Sequence, residues 1–284
     1  MDTRFWGPSG WKLLHLIAQE PMRTLGHRKA VAAWLALLPY VLPCKYCRAS
    51  LSAYYEAQPL TLRDLATPAA FGNWMYRIHN RVNEKLREQG LLTAPDPSWE
   101  EVAERYSNEH AGLCKGTPLL GWDFMTATAF NTPGADYVPT PMSDTPADFD
   151  AAAAEPRLRN RYNLLTRAER LDRLRAWWAL IPAILPCATW RRAWARAMDA
   201  AGAPPLEDGR DAMMRWMWRI EAQVCSSLQC PTPHASLDEM CSTAEAFESG
   251  CATARQGKTC RTRKRARRDR IRTQRRQRRL ASVL

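Results

Sequence analysis

Two cysteines three positions apart, Cys44 and Cys47, are the residues whose type and spacing best suit chemistry. They lie in residues 42–47 (LPCKYC), where both sulfurs can reach one disulfide and Pro43 stands just before the start of a helix. Amide dipoles at a helix N-terminus stabilise a thiolate, which lowers its pKa. The pair therefore indicates a redox centre, although the same spacing also occurs in zinc sites and in thioredoxin-like proteins.

The neighbouring sequence bears on those alternatives. Zinc in a structural site takes four ligands, and no second Cys-x-x-Cys or paired histidine follows the first. A zinc-stabilised helical binding module stays open as an alternative. A thioredoxin fold needs βαβ units around its Cys-x-x-Cys, and the chain shows no alternating strand pattern, so we exclude that fold.

Helical periodicity predicts the elements that position the pair. Helices are expected at 8–19, 27–41, 44–57, 68–89 and 98–107, and Ser98 with Glu101 is typical of a capping box. These segments predict an all-α fold with five helices, the fifth of them short.

The second half of the chain repeats part of the first. Residues 177–186 (WWALIPAILP) match residues 34–43 (WLALLPYVLP) at an offset of 143, and residues 216–220 match residues 74–78 at an offset of 142. Two matches at nearly one offset indicate an internal duplication. In the second copy Trp190 replaces Cys47, so this copy lacks the second thiol and is expected to be degenerate.

Three motifs connect the first copy to a known family. They are Trp6-Gly7-Pro8-x-x-Trp11-x-x-Leu14-His15, Cys44-x-x-Cys47, and Trp74-x-x-x-Ile78-His79-Asn80-x-Val82-Asn83-x-Lys85-Leu86. In this order they resemble the Erv/ALR family of FAD-linked sulfhydryl oxidases. The family fold, a four-helix bundle with a short fifth helix, agrees with the predicted elements.

The resemblance implies a cofactor and a role for each site residue. FAD is the expected cofactor, Cys47 is expected to pass electrons to it, and Cys44 is expected to exchange with dithiol protein substrates. Reduced flavin then gives two electrons to O2 and yields H2O2. The residues expected to contact FAD are Gly7, Trp11, His15, Tyr40, His79, Asn80, Val82, Asn83 and Lys85. No metal is expected.

The resemblance also suggests how the whole chain is organised. We expect a catalytic FAD-binding domain at 1–110, a linker at 111–156, a degenerate helical domain at 157–228 and a flexible, Cys-containing, Arg-rich tail at 229–284. Family members are commonly dimers, and quiescin sulfhydryl oxidases fuse an active and a degenerate copy. A dimer or an intramolecular pseudo-dimer is therefore expected.

Distal cysteines resemble the shuttle pairs that carry electrons from large substrates in this family. Cys225 with Cys230, or pairs among Cys241, Cys251 and Cys260, are the candidates.

The net charge of +12 resides almost entirely near the end of the chain. Residues 261–279 hold twelve Lys or Arg and one Asp, a net of +11, which leaves about +1 for the rest. Such a run binds phosphates without sequence choice and resembles a nuclear import signal. The alternative function is therefore a nucleic-acid-binding or virion scaffold protein whose oxidase domain no longer turns over.

The N-terminal residues show no signal-peptide pattern, and no stretch approaches the length of a membrane span. We expect a cytoplasmic protein without a membrane segment, in the manner of the oxidases of large DNA viruses, with the virion or the nucleus as other locations.

Overall fold

Helices make up the framework of a computed structural model that describes residues 1–113 and 117–248. No strand occurs in these two ranges. The helices are α1 (Thr3–Gln19), α2 (Leu25–Val41), α3 (Lys45–Ala57), α4 (Pro68–Glu88), α5 (Trp99–Gly112), α6 (Trp122–Phe130), α7 (Pro156–Arg161), α8 (Arg167–Ile184), α9 (Ala188–Ala201), α10 (Gly209–Leu228) and α11 (Leu237–Ala246). The predicted all-α fold is confirmed. The basic run 261–279 and the candidate shuttle residues Cys251 and Cys260 lie outside the described residues.

The first five helices follow the predicted order, with one displaced start. Helix α1 begins at Thr3 rather than near Pro8, because the Asp2 side chain accepts a hydrogen bond from the backbone N–H of Arg4 (2.9 Å) and caps an earlier turn. Pro8 consequently lies inside the helix and not in its first turn. The capping box of Ser98 and Glu101 at the start of α5 is present as predicted.

The segment expected to be a linker contains a helix of the core. Helix α6 packs on α1 and on α10, and eight of its residues, Trp122 and Phe124–Phe130, are buried. A helix that is buried on all sides has no polar face, so its sequence lacks the amphipathic period by which helices are recognised. The segment expected to be a tail likewise begins with a helix, α11.

The duplication is visible in matched hydrogen bonds. Arg48 Nη1 donates to the carbonyl of Leu42 (2.9 Å), and Arg191 Nη1 donates to the carbonyl of Leu185 (2.7 Å), both pairs at an offset of 143. Helix α6 lies on α10 as α1 lies on α4, so α6 takes the place of α1 in the second bundle. The second bundle thus begins before residue 157.

The two bundles pack through α2 and α8, which run antiparallel. The equivalent residues Trp34 and Trp177 stack on each other with ring centroids 5.3 Å apart. Arg173, near the start of α8, lies over the ring of Tyr40, near the end of α2 (5.1 Å). Contact between equivalent residues is typical of two units related by a two-fold rotation.

Candidate active site

A cavity of about 510 Å³ opens in the first bundle, between α1, α3 and α4. Its walls are mainly aliphatic and aromatic, and Arg105 and Tyr106 of α5 and Phe124 of α6 complete them. The sequence-predicted residues on its lining are Gly7, Trp11, Cys44, Cys47, His79, Val82, Asn83 and Lys85. Both cysteines of the predicted redox centre therefore face the same space as the predicted cofactor residues.

The cysteines lie at the N-terminus of α3. Cys44 is the N-cap residue with extended backbone, and its sulfur accepts a hydrogen bond from the backbone N–H of Cys47 (3.3 Å). This bond uses one of the N–H groups that a helix start leaves without an intrahelical partner. Cys44 is 1% exposed, whereas Cys47 is partly exposed. Access to Cys44 from solvent therefore requires movement of the groups that cover it.

Lys85 places a cation close to Cys47. Burial lowers the pKa of Lys85, and the negative charge of the Cys47 thiolate acts against that lowering. The Lys85 ammonium donates to Ser50 Oγ, and Ser50 Oγ donates to the carbonyl of Tyr46 (2.9 Å), one turn back on α3. This chain of bonds ties α4 to the cysteine-bearing helix and keeps the Lys85 ammonium on that helix.

Two histidines and two aromatic rings form stacked pairs at the cavity wall. The ring of His79 lies 3.8 Å from that of Trp11, and the ring of Tyr106 lies 4.4 Å from that of His15. His15 Nε2 and His79 Nδ1 are 3.0 Å apart, so one imidazole donates to the other. His15 is buried behind His79 and does not line the cavity, which makes it a support for His79.

Both imidazoles are neutral at physiological pH. Burial, followed by the charges of His79 and Arg105, lowers the pKa of His15 to about 3. Burial lowers the pKa of His79 to about 4. Protons therefore bind these rings more weakly in the folded chain than in the unfolded chain, where the pKa is about 6.5.

This difference predicts a loss of stability in acid. The contribution of the pair is complete above pH 6.5 and is lost as the pH falls toward 4, because protonation then favours the unfolded chain. For a single histidine with a folded pKa near 4, the loss between neutral pH and pH 4 is on the order of 3 kcal/mol. Urea unfolding at pH 7.5, 5.5 and 4.5 measures it. The variant His79→Gln is expected to flatten the decline, and an unchanged decline would contradict the assignment.

Asn83 is fixed at the cavity wall by a carboxylate. Its Nδ2 donates to Asp96 Oδ1 (2.7 Å), and Arg87 Nη2 pairs with Asp96 Oδ2 (2.6 Å). Arg87 and then Asn83 hold the pKa of Asp96 below its usual range, although burial opposes them. The amide of Asn83 therefore has a defined orientation, which suits hydrogen bonding to a ligand.

Comparisons with known proteins agree with this geometry. Residues 8–106 match the model of the Erv1 / Alr family. The FAD-linked sulfhydryl oxidase of African swine fever virus (isolate Tick/Malawi/Lil 20-1/1983) is 32% identical over 103 residues, which cover 36% of this chain and 79% of that protein. The chain belongs to the Erv1/Alr family.

Other Erv1/Alr relatives show the same limited coverage of this chain. The mitochondrial FAD-linked sulfhydryl oxidase ERV1 of Saccharomyces cerevisiae is 30% identical over 90 residues, 31% of this chain and 46% of that protein. A putative FAD-linked sulfhydryl oxidase of Invertebrate iridescent virus 3 is 24% identical over 134 residues, 45% of this chain and 86% of that protein. No solved structure matches the chain.

Besides His15, two more predicted cofactor residues of the Erv1/Alr region do not line the cavity. Tyr40 lies under the Arg173 guanidinium at the junction with α8. Asn80 is partly exposed on α4 and is also absent from the lining. The structure thus joins Trp11, His79 and Asn83 around the cavity but leaves Tyr40 and Asn80 outside it.

Other cavity residues had no sequence motif to reveal them. Lys12 and Arg105 both line the cavity and both pair with Glu109, at 3.2 Å each. Tyr106 lines the cavity from α5, a helix for which the motifs gave no site residue. Lys12 follows Trp11 directly, and this adjacency was the one signal that could have indicated it.

A buried polar network joins the cysteine-bearing helix to a segment that lies outside the Erv1/Alr region. We name residues 131–166, between α6 and α8, the crossover segment. Arg48 Nη2 donates to Asn163 Oδ1 (2.6 Å), and Asn163 Nδ2 donates to the carbonyl of Thr140 (2.7 Å). Asn160 Nδ2 donates to Ser52 Oγ (2.9 Å). The crossover segment therefore fixes the part of α3 that directly follows Cys47.

Removal of the Asn163 amide is expected to destabilise the fold. In Asn163→Ala the buried Arg48 guanidinium loses an acceptor, at a cost of about 1–3 kcal/mol. Alanine disfavours the left-handed backbone that Asn163 has (φ 56°), which adds about 1–2 kcal/mol to the loss of unfolding free energy. Asn163→Asp keeps the acceptor for Arg48 and tolerates this backbone but loses the donor to the Thr140 carbonyl, so its loss of unfolding free energy is expected to be smaller than that of Asn163→Ala. Denaturant unfolding of both variants measures the difference, and equal losses would contradict this role.

The described ranges contain neither a metal-binding cluster nor a membrane-spanning helix. No cluster of three or more His, Cys, Asp or Glu side chains in residues 1–113 and 117–248 is arranged to bind a metal ion. Among the helices described, none combines the length and the apolar character needed to cross a bilayer.

Proposed function

We propose that this chain is an FAD-dependent thiol oxidase that forms disulfide bonds in dithiol proteins through Cys44 and Cys47. One observation carries the proposal. The two cysteines, at a helix N-terminus, line a single cavity with Trp11, His79 and Asn83. The African swine fever virus and yeast relatives are named FAD-linked sulfhydryl oxidases, which supports the same cofactor here.

The residues present fit FAD. The cavity of about 510 Å³ is within the usual range for ligand pockets, about 300–1,000 Å³. Aromatic and aliphatic walls suit flat, apolar rings, and the cations of Lys12, Lys85 and Arg105 suit a diphosphate. Trp6 lines the cavity, and its buried indole N–H has no hydrogen-bond partner among the described residues. Trp11, His79, Val82, Asn83 and Lys85 are the side chains that would hold the cofactor.

The thiols perform the exchange with substrate. Once Cys44 and Cys47 are joined in a disulfide, a substrate thiolate would attack Cys44 Sγ, and Cys47 would leave as a thiolate. The second substrate thiol then attacks the sulfur of the first, which releases Cys44 and leaves a disulfide in the substrate. The amide dipoles of α3 and the charge of Lys85 stabilise the Cys47 thiolate. Bound FAD supplies the two-electron chemistry that returns the cysteines to the disulfide and reduces O2 to H2O2.

Purified protein with dithiothreitol tests the proposed activity. Flavin released on denaturation is expected to be FAD, and O2 consumption is expected to equal H2O2 formation. A protein that contains no flavin and consumes no O2 would refute the proposal.

We further propose that one chain works as an intramolecular pseudo-dimer. The antiparallel contact of α2 with α8 and the stacking of Trp34 on Trp177 support this arrangement. The second bundle would then include α6, with residues 131–155 as the connection between α6 and α7. Equivalents of the cavity residues Cys47 and Leu51 are Trp190 and Trp194, both fully buried. These indoles fill the space that is a cavity in the first bundle.

The pseudo-dimer predicts a single chain in solution, because α2 is already covered by α8. Light scattering after gel filtration is expected to give a mass near 32.3 kDa. A stable mass of twice that value at micromolar concentration would contradict this prediction.

Nucleic-acid binding by residues 261–279 and a cytoplasmic, virion or nuclear location remain proposals from the sequence. Deletion of 261–284 is expected to abolish retention on DNA and leave oxidase turnover unchanged.

A further inference from the structure

The C-terminus of α10 carries a second pair of cysteines, Cys225 and Cys230. The backbone N–H of Cys230 donates to the carbonyl of Cys225 (3.0 Å), and that of Gln229 donates to the carbonyl of Ser226 (3.2 Å). Gln229 has a left-handed backbone with φ 54°. This combination is a Schellman motif, in which the side chains at the first and last of the six positions contact each other. Here both of those side chains are thiols.

The two thiols are in contact. The Schellman motif brings the side chains of Cys225 and Cys230 together, and Cys230 acts on the pKa of Cys225. Burial, then Cys230 and the charge of Glu221, raise the pKa of Cys225 to about 12. Cys225 is 1% exposed, whereas Cys230 is partly exposed. The pair therefore has one accessible thiol and one sheltered thiol.

A buried hydrogen-bonded pair, Glu221 and His234, holds the segment after Cys230 against α10. Glu221 is fully buried, and its Oε1 accepts the backbone N–H of His234 (3.1 Å). His234 Nδ1 lies 3.0 Å from Glu221 Oε2. Glu221 occupies the position that His79 has in the first copy, at an offset of 142. Residues 230–234 are thus anchored at both ends, which keeps Cys230 beside Cys225.

The position of the pair does not suit an electron shuttle. Neither Cys225 nor Cys230 lines the cavity that contains Cys44 and Cys47. A shuttle also has to reach that cavity, and Cys225 is fixed in a buried helix turn. A stabilising cross-link is the chemistry that fits a sheltered pair at a helix end.

We propose that Cys225 and Cys230 form a disulfide that locks the C-terminal turn of α10 to the following segment. Cys230, the accessible thiol, attacks a disulfide of an oxidant such as glutathione disulfide and releases one thiol. Cys225 then attacks Cys230 Sγ, releases the second thiol, and loses its proton to solvent. Two S–H bonds are replaced by one S–S bond in the protein, and the oxidant is reduced to two thiols. This inference is independent of the proposed oxidase function.

Equilibration of the full-length protein in glutathione buffers tests the proposal. The Cys47→Ser background excludes the chain's own oxidase chemistry. After N-ethylmaleimide treatment and chymotryptic cleavage without reductant, cleavage at Trp218, Leu228, Leu237 and Phe247 gives peptides 219–228, 229–237 and 238–247 with one cysteine each. Disulfide-rich buffer is expected to link 219–228 to 229–237, and dithiothreitol is expected to separate them.

Two variants on the same background control the result. Cys241→Ser, which removes a partly exposed thiol on α11, is expected to retain the linked peptides. Cys230→Ser is expected to lose them. Closure of this short loop is expected to raise the Tm of the Cys47→Ser protein by about 4 °C more than that of Cys230→Ser under the same oxidising conditions. Unlinked peptides with Cys225 still alkylated by N-ethylmaleimide, or with Cys230 only glutathionylated, would overturn the proposal.

Discussion

Cys47→Ser is expected to lower turnover with dithiothreitol by at least about 10³-fold, with fold and flavin content unchanged. Serine cannot form the disulfide on which exchange depends, so the loss falls on the chemical step rather than on substrate binding. The cavity keeps its shape because the two side chains differ only in one atom. Far-ultraviolet circular dichroism, flavin absorbance and O2 consumption measure the three quantities separately.

A cysteine remote from the cavity provides the control for this variant. Cys241 on α11 does not line the cavity, and Cys241→Ser is expected to retain turnover with dithiothreitol. Retention of more than about one tenth of the turnover by Cys47→Ser would show that another group does the chemistry.

Trp177→Ala is expected to lower the free energy of unfolding by about 3–5 kcal/mol, as large-to-small changes of buried aromatic residues do. Trp177 is fully buried at the junction of the two bundles. Its ring stacks on Trp34 (5.3 Å) and meets the edges of Phe124 (5.7 Å) and Trp178 (4.8 Å). The substitution leaves a cavity at the place where the two bundles and α6 meet. The two bundles are therefore expected to lose stability together.

Trp177→Phe is the matched control, because it keeps an aromatic ring at this position. The Trp177 indole N–H has no hydrogen-bond partner among the described residues, so phenylalanine loses ring area but no hydrogen bond. The loss of unfolding free energy in Trp177→Phe, measured by urea unfolding, is expected to be less than half that in Trp177→Ala. Similar, small losses for both variants would contradict a central role for this junction.

The grouping of the site residues around one cavity was largely predictable because it depends on local spacing. Cys44 and Cys47 are close in sequence and face the same space from one helix start. His79 and Asn83 are one turn apart and line one wall. Such short-range relations follow from helix geometry alone.

The parts of the site that sequence did not reveal depend on long-range packing. Tyr40 belongs to the junction with α8, and only the position of Arg173 makes that evident. Arg105 and Tyr106 reach the cavity because α5 folds back over it, and no local pattern encodes that fold.

The fold shows the same division. The duplication was visible where residues 34–43 and 177–186 keep similar side chains. The equivalence of α6 with α1 was not visible, because the clearest similarity between them is the dipeptide Gly10-Trp11 against Gly121-Trp122.

The proposed oxidase function requires a bound flavin that exchanges electrons with Cys44 and Cys47 inside the first bundle. Anaerobic addition of dithiothreitol, followed by flavin absorbance near 450 nm, tests this most directly. The wild-type protein is expected to lose the flavin band, and Cys47→Ser is expected to keep it over the same time. Equal rates of loss in the two proteins, or a wild-type band that persists, would contradict the account.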